Sequence, residues 1–121
     1  MQENRRPDSP EEQVVRLLKE RNLTITAAES CTGGLIAGTL VNVAGASDVF
    51  GEAYVTYSNE AKQRLVGVRP ETLEQFGAVS EETAYEMAAG AARAGGADVG
   101  LSSTGIAGPG GGTPEKPAGL V

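Results

Sequence analysis

The chain has 121 residues, a formal net charge of −6 and no long apolar run, which leaves room for one small domain and argues against both a membrane span and a nucleic-acid-binding face. Apolar residues make up 40% and aromatics only 4%, so the expected core is aliphatic and rich in Ala and Gly. With no histidine and one cysteine, a Ser-His-Asp triad, a Cys-His pair, a zinc site of the usual N/S ligands and an internal disulfide are excluded, and any base must be Lys, Glu, Asp or Tyr.

In chain order, residues 1–9 are polar and read as a flexible N-terminus, without the apolar run of a signal peptide. Together with the single cysteine, Cys31, this leads us to expect a cytoplasmic protein. Ser9-Pro10-Glu11-Glu12 is a helix-start signature, with Ser at the cap, Pro at the first position and Glu three residues after Ser. The helix it opens puts Val14, Leu17 and Leu18 on one face and ends near Arg21 and Asn22.

An alternating apolar strand over 24–28 then breaks at Glu29-Ser30-Cys31-Thr32-Gly33-Gly34 and resumes as a helix over about 33–43, followed by a turn at 45–47. A hydroxyl or thiol at this junction has the free N–H groups of a helix start beside it, ready to stabilise an anion or a developing oxyanion. Equally, Ser30 or Thr32 can simply cap the helix. A second strand, 51–58, carries aromatic and β-branched residues and runs into a short helix, 59–66, that Ser58 or Asn59 can cap. Tyr57 closes that strand and Lys62 lies one turn into the helix, at the kind of junction where open α/β sheets place their sites. Lys62 is also one of only three lysines, with Lys19 in the first helix and Lys116 in a loop.

A Pro-led helix over 70–76 stops at Gly77, and Ser80 opens a longer one to about residue 94, whose small face (Ala84, Ala88, Ala91, Ala92) suits a sheet or a partner subunit. The third strand, 98–104, ends in a loop with five glycines over positions 105–112. The loop is either a flexible connection or an anion cradle of inward-turned N–H groups. It matches neither a Walker loop nor the dinucleotide fingerprint, because no Gly-Lys-Ser/Thr and no helix follow. Strands alternating with helices predict an α/β fold with a largely parallel sheet.

Four segments, 26–34, 55–62, 77–80 and 103–109, together resemble the CinA C-terminal domain family in its order and spacing, over about residues 10–121. The resemblance implies a three-layer α/β/α domain and hydrolysis of nicotinamide mononucleotide to nicotinic acid mononucleotide and ammonia, with neither metal nor cofactor. It makes Ser30 the nucleophile and Lys62 its base, with Tyr57 and Thr104 assisting. The same resemblance sets Glu29, Cys31, Thr32, Gly33, Asn59, Gly105, Ala107, Gly108 and Gly110 around the nucleotide, and implies a homo-oligomer. Chemically, a serine can be activated by a lysine kept neutral through burial. Cys31 is the rival nucleophile, and the resemblance favours Ser30. The family's domain continues past Val121 with further strand, helix and basic residues, so the C-terminal part is expected to be missing here. The alternative reading is a catalytically silent nucleotide-binding or interaction module of a larger competence-linked protein.

Overall fold

The structure, a computed structural model, describes residues 8–121. Of the stretch 1–9 expected to be flexible, residues 1–7 lie outside the described residues, whereas Asp8 and Ser9 are engaged with the first helix. Helix α1 spans Pro10–Arg21; Ser9 Oγ accepts the Glu12 amide at its start, and Asn22 closes it in the left-handed conformation. Arg16 holds the Asp8 carboxylate at 3.1 Å. The buried face of α1 is Val15 and Leu18, with Val14 beside them, while Leu17, expected on that face, is 43% exposed.

Strand β1 (Ile25–Glu29) is buried over its whole length and leads to α2 (Leu35–Val41). A single 3-10 turn at Ala46–Asp48 precedes β2. That strand is only Tyr54–Val55, far shorter than its β-favouring residues predict, because it pairs with just the last two residues of β1. Helices α3 (Asn59–Val66), α4 (Pro70–Phe76) and α5 (Glu81–Gly95) follow, and then β3 (Val99–Ser103). Ser58 caps α3 and Ser80 caps α5 through their hydroxyls.

The three strands are parallel in the order β2-β1-β3, so the step from β1 to β2 runs one way and the step to β3 runs back past it. Crossovers of one hand then lay helices on opposite faces of the sheet. One core joins Val15 and Leu18 of α1, Ile25, and Leu40 and Val43 around α2. The other joins Ala28 to Val66, Leu73, Met87 and Ala91 from α3, α4 and α5. The sheet is thus sandwiched as an α/β/α three-layer fold. Two glycines set the spacing on the second face. A Cβ at Gly90 would run into the Val66 carbonyl of α3, and one at Gly100 into the Ala88 carbonyl of α5. The small face of α5 therefore beds on the sheet.

Candidate active site

The carboxyl ends of β1 and β3, where the strand order reverses, are where an open parallel sheet leaves a crevice. Ser30 follows β1 directly, and its amide continues the ladder by donating to the Ser103 carbonyl at 2.9 Å. From β2, the chain turns through Thr56 and Tyr57 into α3, which brings Lys62 back under the same edge. Lys62 Nζ lies 3.0 Å from Ser30 Oγ, 2.8 Å from the Thr56 carbonyl and 3.2 Å from the Tyr57 carbonyl. Lys62 is 1% exposed and Ser30 7%. Burial pushes the lysine amine below its ordinary value, against a smaller opposing pull from Cys31.

This geometry accommodates a neutral amine, and burial favours that form. The two carbonyls can only accept, so they take two N–H bonds. An uncharged –NH2 has two hydrogens to give them, and its lone pair is left facing the Ser30 hydroxyl. As a charged ammonium, Lys62 would instead sit buried without a carboxylate partner among the described residues, at a desolvation cost of several kcal/mol.

The four residues from Glu29 to Thr32 play different parts. Glu29 is fully buried. Its Oε1 accepts from Thr32 Oγ1 at 2.6 Å and from the Gly34 and Ile36 amides, and its Oε2 accepts from the Ala37 amide at 2.8 Å. Burial alone would raise this carboxyl, but the Thr32 hydroxyl and the Ala37, Ile36 and Gly34 amides outweigh it and hold the group below its ordinary value. Two sequence expectations are corrected here. Neither Ser30 nor Thr32 caps α2; Gly34 is at the cap position and the carboxylate of Glu29 supplies the acceptors. Nor is the start of α2 free for an oxyanion or for substrate, since Glu29 already fills it. The N–H groups that find no acceptor among the described residues are those of Cys31 and Thr32, directly after the serine.

Thr32 Oγ1 also lies 2.6 Å from Ser103 Oγ. Its one proton goes to Glu29, so Ser103 is the donor in that pair. Tyr57 reaches the centre through its carbonyl; its residue is 69% exposed. Thr104 is buried and donates to the Ala78 carbonyl at 2.7 Å, tying the loop before α5 to the end of β3. Cys31 is half-buried and free, and Gly33 and Asn59 are exposed.

A cleft of about 650 Å³ is lined by Thr32, Ser103 and Thr104 with Ile36, Ser80 and Leu120 among others; Ser30 and Lys62 themselves do not line it. Gly105, Ala107, Gly108 and Gly110 do not line it. The glycine loop folds instead onto its own chain. Ile106 and Leu120 share a backbone hydrogen bond of 2.8 Å, and a Cβ at Gly105 would meet the Leu120 carbonyl. A second hollow of about 610 Å³, between α4 and α5, lies away from Ser30, and its Glu86 carboxylate is taken by Thr72 and Arg69. Sequence reasoning passed over Thr56, whose carbonyl is the closest partner of the amine and whose buried hydroxyl finds no partner among the described residues. Its place at the end of a strand beside Tyr57 was the available signal.

The same arrangement of elements recurs in known proteins. The family model of the CinA C-terminal domain matches residues 7–121. A CinA-like protein of Kosmotoga olearia is 65% identical over 114 residues, covering 94% of this chain and 28% of the relative. A putative competence-damage inducible protein of Clostridium perfringens is 61% identical over 111 residues, 92% of this chain and 27% of the relative. The chain therefore spans a little over a quarter of the length of these curated relatives. Among solved structures, a competence/damage inducible protein from Agrobacterium tumefaciens superposes with a TM-score of 0.84 at 47% identity, covering 90% of this chain and 66% of that one. A CinA superfamily protein from Escherichia coli gives 0.86 at 38% identity, covering 90% and 63%. On the family match and this agreement of fold, the chain belongs to the CinA C-terminal domain family.

Proposed function

We propose that the chain is an amidohydrolase in which Ser30 attacks and a neutral Lys62 is the base, with the amide of nicotinamide mononucleotide as substrate. The observation that carries this reading is the buried amine 3.0 Å from Ser30 Oγ and within hydrogen-bond reach of the Thr56 and Tyr57 carbonyls. The substrate itself comes from the family resemblance. The steps balance as acyl transfer. Lys62 takes the Ser30 proton as Oγ adds to the amide carbon, and the Cys31 and Thr32 amides supply hydrogen bonds to the developing oxyanion. The protonated amine then gives its proton to the departing nitrogen, ammonia leaves, and water activated by the same amine cleaves the acyl-serine to nicotinic acid mononucleotide. In this scheme Tyr57 acts through its carbonyl and Thr104 shapes the cleft wall.

Ammonia release from nicotinamide mononucleotide by the wild type, reduced by orders of magnitude in both Ser30→Ala and Lys62→Met, is the expected result. Binding of the nucleotide without turnover, unchanged by Ser30→Ala, would instead identify a silent binding module.

A further inference from the structure

We infer that Glu29 is a positioning residue for the nucleophile. Its carboxylate holds the middle and the far end of the turn that presents Ser30, and closes the start of α2 to any competing anion. The inference rests on the amidohydrolase reading above.

The turn from Ser30 to Gly34 has few restraints of its own. Its backbone is tied by the Ser30 amide to Ser103, by the Gly33 amide to the Ser30 carbonyl at 3.0 Å and by the Leu35 amide to the Thr32 carbonyl at 3.1 Å, which leaves the Cys31 and Thr32 amides unheld among the described residues. Gly33 and Gly34 both take positive φ, of 59° and 116°, where glycine is chosen for freedom and not for rigidity. Left alone, such a turn would sample many conformations. Glu29 removes that freedom from below. It sits on the last residue of β1, so its backbone is fixed by pairing with Val55 and Ser103 on either side. From there its side chain reaches Thr32 in the turn and the Gly34, Ile36 and Ala37 amides beyond it. Thr32 in turn receives Ser103 from β3, which links the turn to the second strand of the crevice. The two ends of the turn, and its middle, are thereby referred to the sheet.

The chemistry of the group matters as well as its shape. A carboxylate offers about four acceptor positions and no proton, which matches one hydroxyl and three amides converging on it. Glutamine in its place brings two donors into a site made only of donors. The charge also satisfies the helix start, so a product carboxylate or a buffer anion finds no vacancy among the α2 amides. The N–H groups left for the oxyanion are then those of Cys31 and Thr32, held where Glu29 and Thr32 put them.

The test reads the nucleophile with and without the proposed substrate. Wild type, Glu29→Gln and Thr32→Val are compared for kcat and KM with nicotinamide mononucleotide, and for the rate at which a fluorophosphonate probe labels Ser30, located by mass spectrometry. Thr32→Val breaks the links to Glu29 and Ser103 while leaving Glu29 on the α2 amides, so it reports on positioning if Glu29→Gln fails to fold. The expected outcome is a fall in kcat and in labelling rate of about tenfold or more in each folded variant, with KM held within about twofold, as for an interaction made only in the transition state. If the wild type labels at Ser30 but releases no ammonia, the substrate reading fails, and the labelling rates still decide the role of Glu29. Unchanged labelling and kcat in folded Thr32→Val, or no labelling of Ser30 in the wild type, would overturn the inference.

Discussion

In the proposed mechanism Lys62 decides the chemistry, because with no histidine in the chain it is the amine that touches the serine. Exchanging it for Met keeps most of the buried volume and removes the proton acceptor. We expect ammonia release to fall about 10³-fold, the usual weight of a general base. Activity in the wild type should rise with pH as Lys62 loses its proton, and level off below the range in which an ordinary lysine titrates. Stability carries the same signature. Because burial lowers the amine in the folded state, the unfolded chain binds a proton that the native one does not over the window between the lowered value and about 10.4. Wild-type stability relative to Lys62→Met should therefore improve as pH rises from 7 to 10, by roughly 1.4 kcal/mol for each unit by which the amine is lowered. Thermal melts of the two proteins across that range check it; a constant difference would show an amine that titrates normally.

Elements were largely legible and their couplings were not. The caps at Ser9 and Ser80, and the Pro-led start of α4, are local devices, spelled out within a few consecutive residues, and the structure shows each where the sequence places it. The start of α2 was misjudged because its cap comes from outside the helix. Glu29 reaches across five to eight residues to amides that no short motif connects to it. A carboxylate ending an apolar strand, ahead of two glycines and with no basic neighbour, was the signal that could have found it. Strand β2 was over-read for the opposite reason, since β-favouring residues need a partner edge and this stretch meets β1 only at Phe50 and then again at Tyr54 and Val55. Two predictions belong at this scale. Glu29→Gln should cost about 2–4 kcal/mol at neutral pH, from donors left unsatisfied in a buried site, measured by urea denaturation. Since the carboxyl is held below its ordinary value, its contribution is present above about pH 4.3 and is lost as pH falls through the lowered value, so the gap between wild type and Glu29→Gln should narrow in acid. Gly90→Ala should cost about 3 kcal/mol, because the Val66 carbonyl stands where its methyl would go. As Val66 shares α3 with Lys62, activity should fall with it, read as ammonia release from the folded fraction.

At the scale of the whole molecule, the parallel order β2-β1-β3 brings Ser30, Lys62 and Thr104 to one edge from three separate stretches of chain. That convergence could be read in outline from strands ending in polar residues, and the 3.0 Å approach of amine to hydroxyl could not, because it depends on how closely α3 beds beside the sheet. The glycine loop shows the limit of composition as a guide. Close backbone approach was expected, and at Gly105 the approaching partner is the chain's own Leu120. The proposed chemistry depends on one amine being uncharged, and the scarcity of lysine makes that directly measurable. With Lys19, Lys62 and Lys116 as the only lysines, a protein labelled with 15N at lysine Nζ gives three side-chain signals to follow by NMR through a pH titration. Lys62 losing its proton well below the ordinary lysine range is the result predicted; Lys62 titrating near 10.4 would contradict it.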